Sequence, residues 1–144
     1  MFSKACEYGI RATIFVAKQS IEGRKVSLKE TTKAIDSPEA YTSKILQQLK
    51  KHEIIRSDKG PRGGFSMEKE KLEKTTLEEI VYCFDGDSIY QGCGLGLKAC
   101  NANKPCPIHF EFAKVRDGLA ELLSNTRIIT LANEINDGLA FLKS

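Results

Sequence analysis

The residues with the clearest chemical potential lie together in the second half of the chain. The segment reads Cys93-Gly-Leu-Gly-Leu-Lys-Ala-Cys100-Asn-Ala-Asn-Lys-Pro-Cys106-Pro-Ile-His109 and holds three of the five cysteines and one of the two histidines. Its glycines and prolines predict a loop, which can fold its side chains onto one centre. Thiolates beside an imidazole suit a transition metal or an iron–sulfur cluster. The segment therefore predicts a metal or cluster site.

Two simpler interpretations of this segment stay open. Three cysteines and a histidine also suit a tetrahedral structural zinc, although the gaps lack the short Cys-x2–4-Cys spacing of most zinc sites. Alternatively, the thiols react directly and hold no metal. The other two cysteines, Cys6 and Cys83, lie on helix-forming segments and are predicted to be buried, inert thiols.

Length and composition predict one compact globular domain. The chain has 144 residues, of which 41% are hydrophobic and 28% charged. No run approaches the roughly 18 apolar residues of a membrane span, so no membrane partner is expected. The N-terminus lacks the apolar segment of a signal peptide, and an odd cysteine count argues against a disulfide framework. We therefore expect a cytoplasmic protein with reduced thiols.

Charge is distributed unevenly along the chain. Residues 1–75 hold 16 Lys and Arg against 10 Asp and Glu, whereas residues 76–144 hold 6 against 9. A basic first half suggests that a polyanion would bind to that half of the chain, although solvated lysine-rich helices would give the same composition.

The order of elements in the basic half is more specific than its charge. A helix is predicted from Ser3 to about Gln19, and Ser27-Leu-Lys-Glu30 is a capping box that opens a second helix. Ser37 is predicted as the N-cap of a third helix, with Pro38 at its first position and its end near Lys51. Ile54–Ser57 and Phe65–Met67 then predict two strands around a turn with three glycines and the cations Lys59 and Arg62. This order predicts a winged helix-turn-helix.

The second half is predicted to be helical around the cysteine loop. Thr76-Leu-Glu-Glu79 is a second capping box, and further helices are expected over 107–124 and 128–142. Apolar residues spread round more than one face of helix 107–124, which favours burial against a partner subunit. The fold class is therefore mainly α with a small β-hairpin wing: a winged helix-turn-helix plus a long dimerisation helix. Residues 1–75 form the DNA-binding region, and residues 76–144 form the cluster loop and dimerisation helices of the same compact domain.

Nearly the whole chain resembles the Rrf2 family of bacterial transcription regulators, which includes iron–sulfur cluster regulators and nitric-oxide-responsive repressors. The motifs that carry the resemblance are Tyr8-Gly-Ile-Arg-Ala12, Val26-Ser-Leu-Lys-Glu30, the helix pattern Tyr41…Lys44-Ile-Leu46…Leu49, the wing Lys59-Gly-Pro-Arg-Gly-Gly-Phe65 and the loop Cys93…Cys100…Cys106-Pro-Ile-His109.

The resemblance implies a cluster site. Cys93, Cys100 and Cys106 would supply three thiolates to a [2Fe–2S] or [4Fe–4S] cluster. The fourth ligand would be His109 or, as in other relatives, a carboxylate at Glu7 from the partner subunit. The chain departs from the family pattern in the gap Cys93-x6-Cys100, which is one residue longer than usual.

The winged helix-turn-helix also implies a DNA surface. The N-terminal half of helix 38–51 would enter the major groove, so that Tyr41, Ser43 and Lys44 face base edges or phosphates and Gln47 faces the backbone. Lys59 and Arg62 on the wing would reach the minor groove or its phosphates. A homodimer would read a near-palindromic operator in double-stranded DNA. Thr42, Lys59 and Arg62 stand where relatives often carry Leu, Arg and Gly, so the operator sequence does not follow from a relative.

The sequence therefore predicts a DNA-binding transcriptional regulator that senses iron–sulfur status, nitric oxide or redox state. A metal-free thiol sensor or a partner-regulated repressor is the alternative within regulators. A small iron–sulfur electron-transfer protein or a structural adaptor would belong to other classes. No general acid–base pair or nucleotide-binding glycine loop is present, so an enzyme is not expected.

Overall fold

The computed structural model describes residues 1–144 as eight helices and one two-stranded sheet. The elements in chain order are α1 (Lys4–Ile21), α2 (Leu28–Ile35), α3 (Glu39–Lys51), β1 (Arg56–Asp58), β2 (Gly64–Ser66), α4 (Lys69–Lys74), α5 (Leu77–Asp85), α6 (Ser88–Gln91), α7 (His109–Asn125) and α8 (Ile128–Asn136). None of the helices is both long and apolar enough to cross a bilayer.

Helix α1 is the centre of the core, and α2, α3, α5 and α8 pack around it. Ala12 and Val16 on α1 are fully buried, as are Leu46 and Leu49 on α3. The capping box predicted for α2 is confirmed. The amide of Glu30 donates to Ser27 Oγ (3.1 Å), and the amide of Ser27 donates to the Glu30 carboxylate (3.3 Å).

The start of α3 differs from the prediction. Pro38 is extended (φ −59°, ψ 137°) and is itself the N-cap, so the helix begins at Glu39. The buried Ser37 hydroxyl contacts that of Thr42, which in turn donates to the Pro38 carbonyl (3.0 Å). Ser37 therefore supports the start of α3 through its contact with Thr42, and it does not cap a backbone amide.

The wing is a short antiparallel hairpin, in which Arg56, Ser57 and Asp58 pair with Ser66, Phe65 and Gly64. The predicted strand at Ile54 begins two residues later, because Ile54 and Ile55 are buried in the core. Val26 joins the far side of the hairpin through two backbone hydrogen bonds with Phe65 (2.9 and 2.7 Å). This additional pairing fixes the hairpin to the segment that precedes α2.

The second half departs from the sequence prediction at three helix ends. Thr76 is the N-cap of α5, but its side chain makes no capping hydrogen bond, so the predicted capping box does not form. Helix α7 begins at His109, two residues after Pro107. Helix α8 ends at Asn136, because Gly138 (φ 73°) closes it with hydrogen bonds from Gly138 to Ile135 and from Leu139 to Glu134.

Helix α7 has the smallest buried fraction of the helices with eight or more residues, with one buried residue of 17. Leu123 is buried, but the side chains of Phe110, Val115 and Leu122 are 61%, 60% and 54% exposed. An apolar surface of this kind on a helix is typical of an interface with another chain.

Candidate functional site

The cysteine loop runs between α6 and α7, and it brings its donor atoms together in two pairs. The sulfur atoms of Cys93 and Cys106 lie 3.8 Å apart. Cys100 Sγ lies 3.4 Å from His109 Nδ1. All four side chains are half-buried, within reach of solvent. The loop thus presents one thiol–thiol pair and one thiol–imidazole pair, at the point where the chain enters α7.

The spacing of each pair can be compared with that of two ligands on one metal atom. Bonds of about 2.3 Å to sulfur and 2.0–2.1 Å to nitrogen in a tetrahedral site place two sulfurs about 3.8 Å apart and a sulfur and a nitrogen about 3.5 Å apart. Both pairs match these values. No group of three or more His, Cys, Asp or Glu side chains lies close enough to hold a single metal ion. The loop therefore offers two separate donor pairs, each with the spacing of two ligands on one metal atom.

Backbone groups hold the first cysteine in place. The amide of Leu95 donates to Cys93 Sγ (3.4 Å), and the amide of Gly96 donates to the Cys93 carbonyl (2.9 Å). Hydrogen bonds from the amides of Leu95 and Leu97 are the main causes that lower the pKa of the Cys93 thiol. At the other end of the loop, the amide of His109 donates to the Cys106 carbonyl (3.0 Å). These hydrogen bonds favour the thiolate form of Cys93.

The two cysteines outside the loop are buried, as predicted. Cys6 on α1 is fully buried, and burial followed by the nearby Asp85 raises its pKa to about 12. Burial raises the pKa of Cys83 to about 11, and its thiol faces the Gln48 carbonyl on α3 (3.7 Å). Both residues are neutral thiols near pH 7, which suits a structural role.

Glu7 lies in the first turn of α1, on a separate element from the loop. Its carboxylate is exposed and pairs with Lys4 at 3.3 Å. Within one subunit it joins no metal-binding group. Its assignment as a ligand from the partner subunit stays a prediction.

Helix α3 presents the predicted DNA-facing residues with unequal exposure. Lys44 and Gln47 are exposed, whereas Ser43 is half-buried. Tyr41 is also half-buried, because its ring packs edge-to-face against Tyr8 of α1 at 5.3 Å. Thr42, one of the three residues named above as unusual for the resemblance, is fully buried. Its difference therefore lies in the core and not on the exposed face.

The wing carries its cations on a firmly held base. Lys59 and Arg62 at the tip are exposed and take part in no ion pair. Below the tip, Asp58 pairs with Lys25 and with Arg56, both at 2.9 Å. The hydrogen bond from Lys25, and to a smaller extent that from Arg56, lowers the pKa of the Asp58 carboxyl. The two tip cations are therefore free to meet an external anion.

Comparison with known proteins identifies the family. The model of the Rrf2 family, described as an iron-dependent transcriptional regulator, matches residues 2–134. The chain belongs to the Rrf2 family. An HTH-type transcriptional regulator of Aquifex aeolicus is 30% identical to this Rrf2 protein over 135 residues, 92% of each chain. The regulator IscR of Photorhabdus laumondii is 25% identical over 126 residues, 88% of this chain and 75% of the relative.

Solved structures of the family confirm the predicted fold. CymR, the global cysteine regulator of B. subtilis, has a TM-score of 0.74 at 21% identity, and the match covers 92% of this Rrf2 protein and 96% of CymR. IscR of T. potens has a TM-score of 0.70 at 21% identity and covers 96% of this chain and 88% of its own. This Rrf2 protein is thus a winged-helix regulator of transcription, and the relatives that carry this assignment are regulators and not enzymes.

Several residues that position the site of this Rrf2 protein were not predicted from sequence. Arg116 on α7 reaches back to the start of the cysteine loop, where its guanidinium donates to the Gly92 carbonyl at 3.0 Å. Asp58 organises the base of the wing. Tyr8 contacts Tyr41 and lies under the guanidinium of Arg11 (4.6 Å). The Arg116–Gly92, Lys25–Asp58 and Tyr8–Tyr41 contacts join residues distant in sequence, and no local spacing signals them.

Proposed function

We propose that this Rrf2 protein is a DNA-binding regulator that senses iron–sulfur status, nitric oxide or redox state through a cluster held by the Cys93–Cys106 loop. The observation that carries the proposal is the pairing of Cys93 with Cys106 and of Cys100 with His109 on one solvent-accessible loop. That loop leads directly into α7, whose apolar face is exposed.

Cys93, Cys100, Cys106 and His109 would together hold a cluster of the [2Fe–2S] or [4Fe–4S] type. When bound, such a cluster would supply one-electron redox chemistry and iron atoms that small oxidants and nitric oxide can attack. The chain's own part is to present three thiolates, and the backbone amides around Cys93 favour that state. Glu7 of the partner subunit is the competing fourth ligand.

The DNA surface would be formed by α3 and the wing. The exposed Lys44 and Gln47, with Tyr41 and Ser43 beside them, would lie in the major groove, and Lys59 and Arg62 would meet phosphates or the minor groove. A homodimer through the exposed face of α7 would present two such surfaces to a near-palindromic operator. Residues 1–75 would read DNA, and residues 76–144 would carry the sensor and the dimer contact. Binding to chromosomal DNA would place the protein in the cytoplasm.

The sensor is proposed to act by shifting how the two DNA surfaces are oriented. The loop ends at the first residue of α7, so a change in the loop would move the start of the dimer helix. A coupling free energy of about 1–3 kcal/mol between the two sites changes affinity about 5–150-fold, which is enough for regulation.

Anaerobic purification tests the cluster. We expect a coloured protein with equal amounts of iron and acid-labile sulfide, and two of each per subunit for [2Fe–2S]. The triple variant Cys93→Ser, Cys100→Ser, Cys106→Ser should be colourless, and Cys6→Ala is the matched control that should keep the cluster. His109→Ala and Glu7→Gln, compared by absorption spectrum, separate the two candidates for the fourth ligand. Zinc or no metal in the anaerobic wild-type protein would overturn the proposed cluster.

Salt dependence of binding tests the DNA surface. Removing one cation that meets a phosphate should reduce the slope of log affinity against log salt by about 1, so Lys59→Ala with Arg62→Ala should reduce it by about 2. Lys114→Ala on α7, which removes a positive charge away from the wing, should leave the slope unchanged. Equal slopes for all three proteins would contradict the assignment of the wing.

A metal-free thiol sensor is the second candidate. The 3.8 Å between the Cys93 and Cys106 sulfurs and the lowered pKa of Cys93 would allow an oxidant to join the two thiols as a disulfide. Such a protein would be colourless without air, and its affinity for DNA would change on oxidation and return with a dithiol reductant.

A further inference from the structure

Arg116 connects the dimer helix to the beginning of the cysteine loop. It lies on the third turn of α7, with its side chain half-buried. Its Nη1 donates to the Gly92 carbonyl at 3.0 Å and lies 3.4 Å from the Tyr90 carbonyl. The guanidinium also lies 5.6 Å from the ring centre of Phe112, one turn earlier on the same helix. Arg116 takes part in none of the ion pairs, so its contacts are with the backbone of the loop and with an aromatic ring.

These contacts lie on both sides of Cys93. Gly92, which Arg116 binds, directly precedes it. Gly94, which directly follows it, packs so closely on α7 that a Cβ there would lie 2.9 Å from Phe112 Cγ and 3.0 Å from Ile108 Cδ1. One face of α7 therefore holds the residues before and after the cysteine, while the Leu95 amide holds its sulfur.

The chemistry of arginine suits this position. A guanidinium stays protonated at any pH the protein meets, and the two N–H groups of Nη1 are enough for the two carbonyls. An ammonium group would keep the charge on a side chain of different shape. In a trans peptide the carbonyl and the following amide point in opposite directions. Binding of the Gly92 carbonyl by Arg116 therefore also sets the direction of the Cys93 amide.

We propose that Arg116 is a positioning residue for the cysteine loop, which fixes the backbone on which Cys93 presents its sulfur and links that backbone to α7. The role rests on the proposed function, because it assumes that Cys93 is a ligand. It adds a route by which a change at Cys93 reaches the dimer helix from the start of the loop, in addition to the direct connection at His109.

The first test uses the metal-free protein. Hydrogen exchange resolved to the segment 92–97 should be about tenfold faster in Arg116→Gln, because this variant cannot make the charge-assisted hydrogen bonds to the loop. Arg116→Lys should lie between the two. Lys114→Gln, which removes a charge from the same helix but no contact to the loop, is the matched control and should exchange like the wild type. Equal exchange in Arg116→Gln and the wild type would overturn the proposal.

The second test uses the anaerobically loaded protein. We expect Arg116→Gln to lose the visible absorption of the cluster several-fold faster in air than the wild type, and Lys114→Gln to lose it at the wild-type rate. Thermal unfolding of the metal-free variants separates this effect from general instability, since Arg116 contributes little to the buried core. If the wild type holds no cluster, the proposed function fails while the exchange experiment still decides the role of Arg116. If the cluster forms and its lifetime is unchanged in Arg116→Gln, only the role of Arg116 fails.

Discussion

The wing and the cysteine loop are both glycine-containing segments that project from the helical core, but they are held in different ways. The wing has a paired strand register, two backbone hydrogen bonds to Val26, and the carboxylate of Asp58 between Lys25 and Arg56. The cysteine loop has no paired strand. It is held by a few turn hydrogen bonds, the Arg116 contact and the packing of Gly94 on α7.

This difference indicates how each segment would meet its proposed ligand. The backbone groups of the wing are hydrogen-bonded within the protein, so the protein alone defines the shape of the wing. The side chains of Lys59 and Arg62 remain for an external anion. The cysteine loop leaves its thiols and imidazole in pairs without a third donor. Its final shape would therefore depend on the proposed ligand.

The alkylation rates of the loop thiol Cys93 and the core thiol Cys6 should differ more than any other quantity proposed below. This experiment tests whether the loop is accessible to solvent. In metal-free native protein at pH 7.5, we expect Cys93 to react at least about a hundredfold faster than Cys6, because only the thiolate reacts and burial keeps Cys6 protonated. The lowered pKa also means that the Cys93 rate levels off at a lower pH than that of a free thiol, whereas Cys6 and Cys83 react only on unfolding. Peptide mass mapping over a pH series measures these rates. Similar rates for Cys93 and Cys6 would show that the loop is closed.

Removal of the cluster should affect the loop and leave the wing unchanged. We expect hydrogen exchange across 92–106 to rise by more than tenfold when the anaerobic protein is stripped with a chelator, because the proposed cluster would be the strongest constraint on the loop. Exchange across 56–66 should stay within about twofold, since the wing hydrogen bonds do not involve the cluster. A large change in the wing would mean that the two segments are not separately held.

Glycine substitution should destabilise the wing more than the loop. Gly64 has φ 136°, and a Cβ there would lie 2.8 Å from the Val26 carbonyl oxygen, so Gly64→Ala should cost about 2–3 kcal/mol of unfolding free energy. Gly96 in the loop has φ 71° with open space around it, so Gly96→Ala should cost about 1 kcal/mol. Urea unfolding of the metal-free proteins measures both values. Equal losses would remove the distinction between a fixed wing and an adaptable loop.

The ion pairs of Asp58 should have the smallest effect, and it should depend on pH. Lys25 and Arg56 lower the pKa of Asp58, so the stabilisation is present above its ordinary value of 3.8 and is lost as the pH falls through the lower value in the folded protein. We expect Asp58→Asn to melt at a lower temperature than the wild type at pH 7, with the difference shrinking toward pH 3. A constant difference across this range would show that charge is not the cause.

Local sequence patterns were sufficient for the elements whose signals are local. The capping box of α2 depends on residues within one turn, and its prediction is confirmed. The predicted end of α3 near Lys51 is also confirmed. The chain leaves α3 through Glu53, which takes a left-handed conformation (φ 61°) in which glycine is usual.

The sequence predicted which residues form the candidate site, but it did not predict their geometry. The cysteines and His109 were found because their types and spacing are unusual, whereas their division into two pairs depends on how the loop folds. The Thr76 capping box failed because backbone pairing with a distant segment, and not a side-chain cap, organises the start of α5. Arg116 and Tyr8 act through contacts across the fold, which a single sequence does not reveal.

That distant pairing has a consequence for the whole second half. Leu77 donates to the Thr126 carbonyl and Ile128 donates to the Thr75 carbonyl, both at 2.9 Å, so the chain leaves and returns at one backbone bridge. The two ends of the span 77–126 are therefore held side by side. A loop inside this span can lengthen without displacing α8 from α1. The additional residue between Cys93 and Cys100 lies inside this span. A change in the length of the loop between α6 and α7 can therefore leave the packing of α8 on α1 intact.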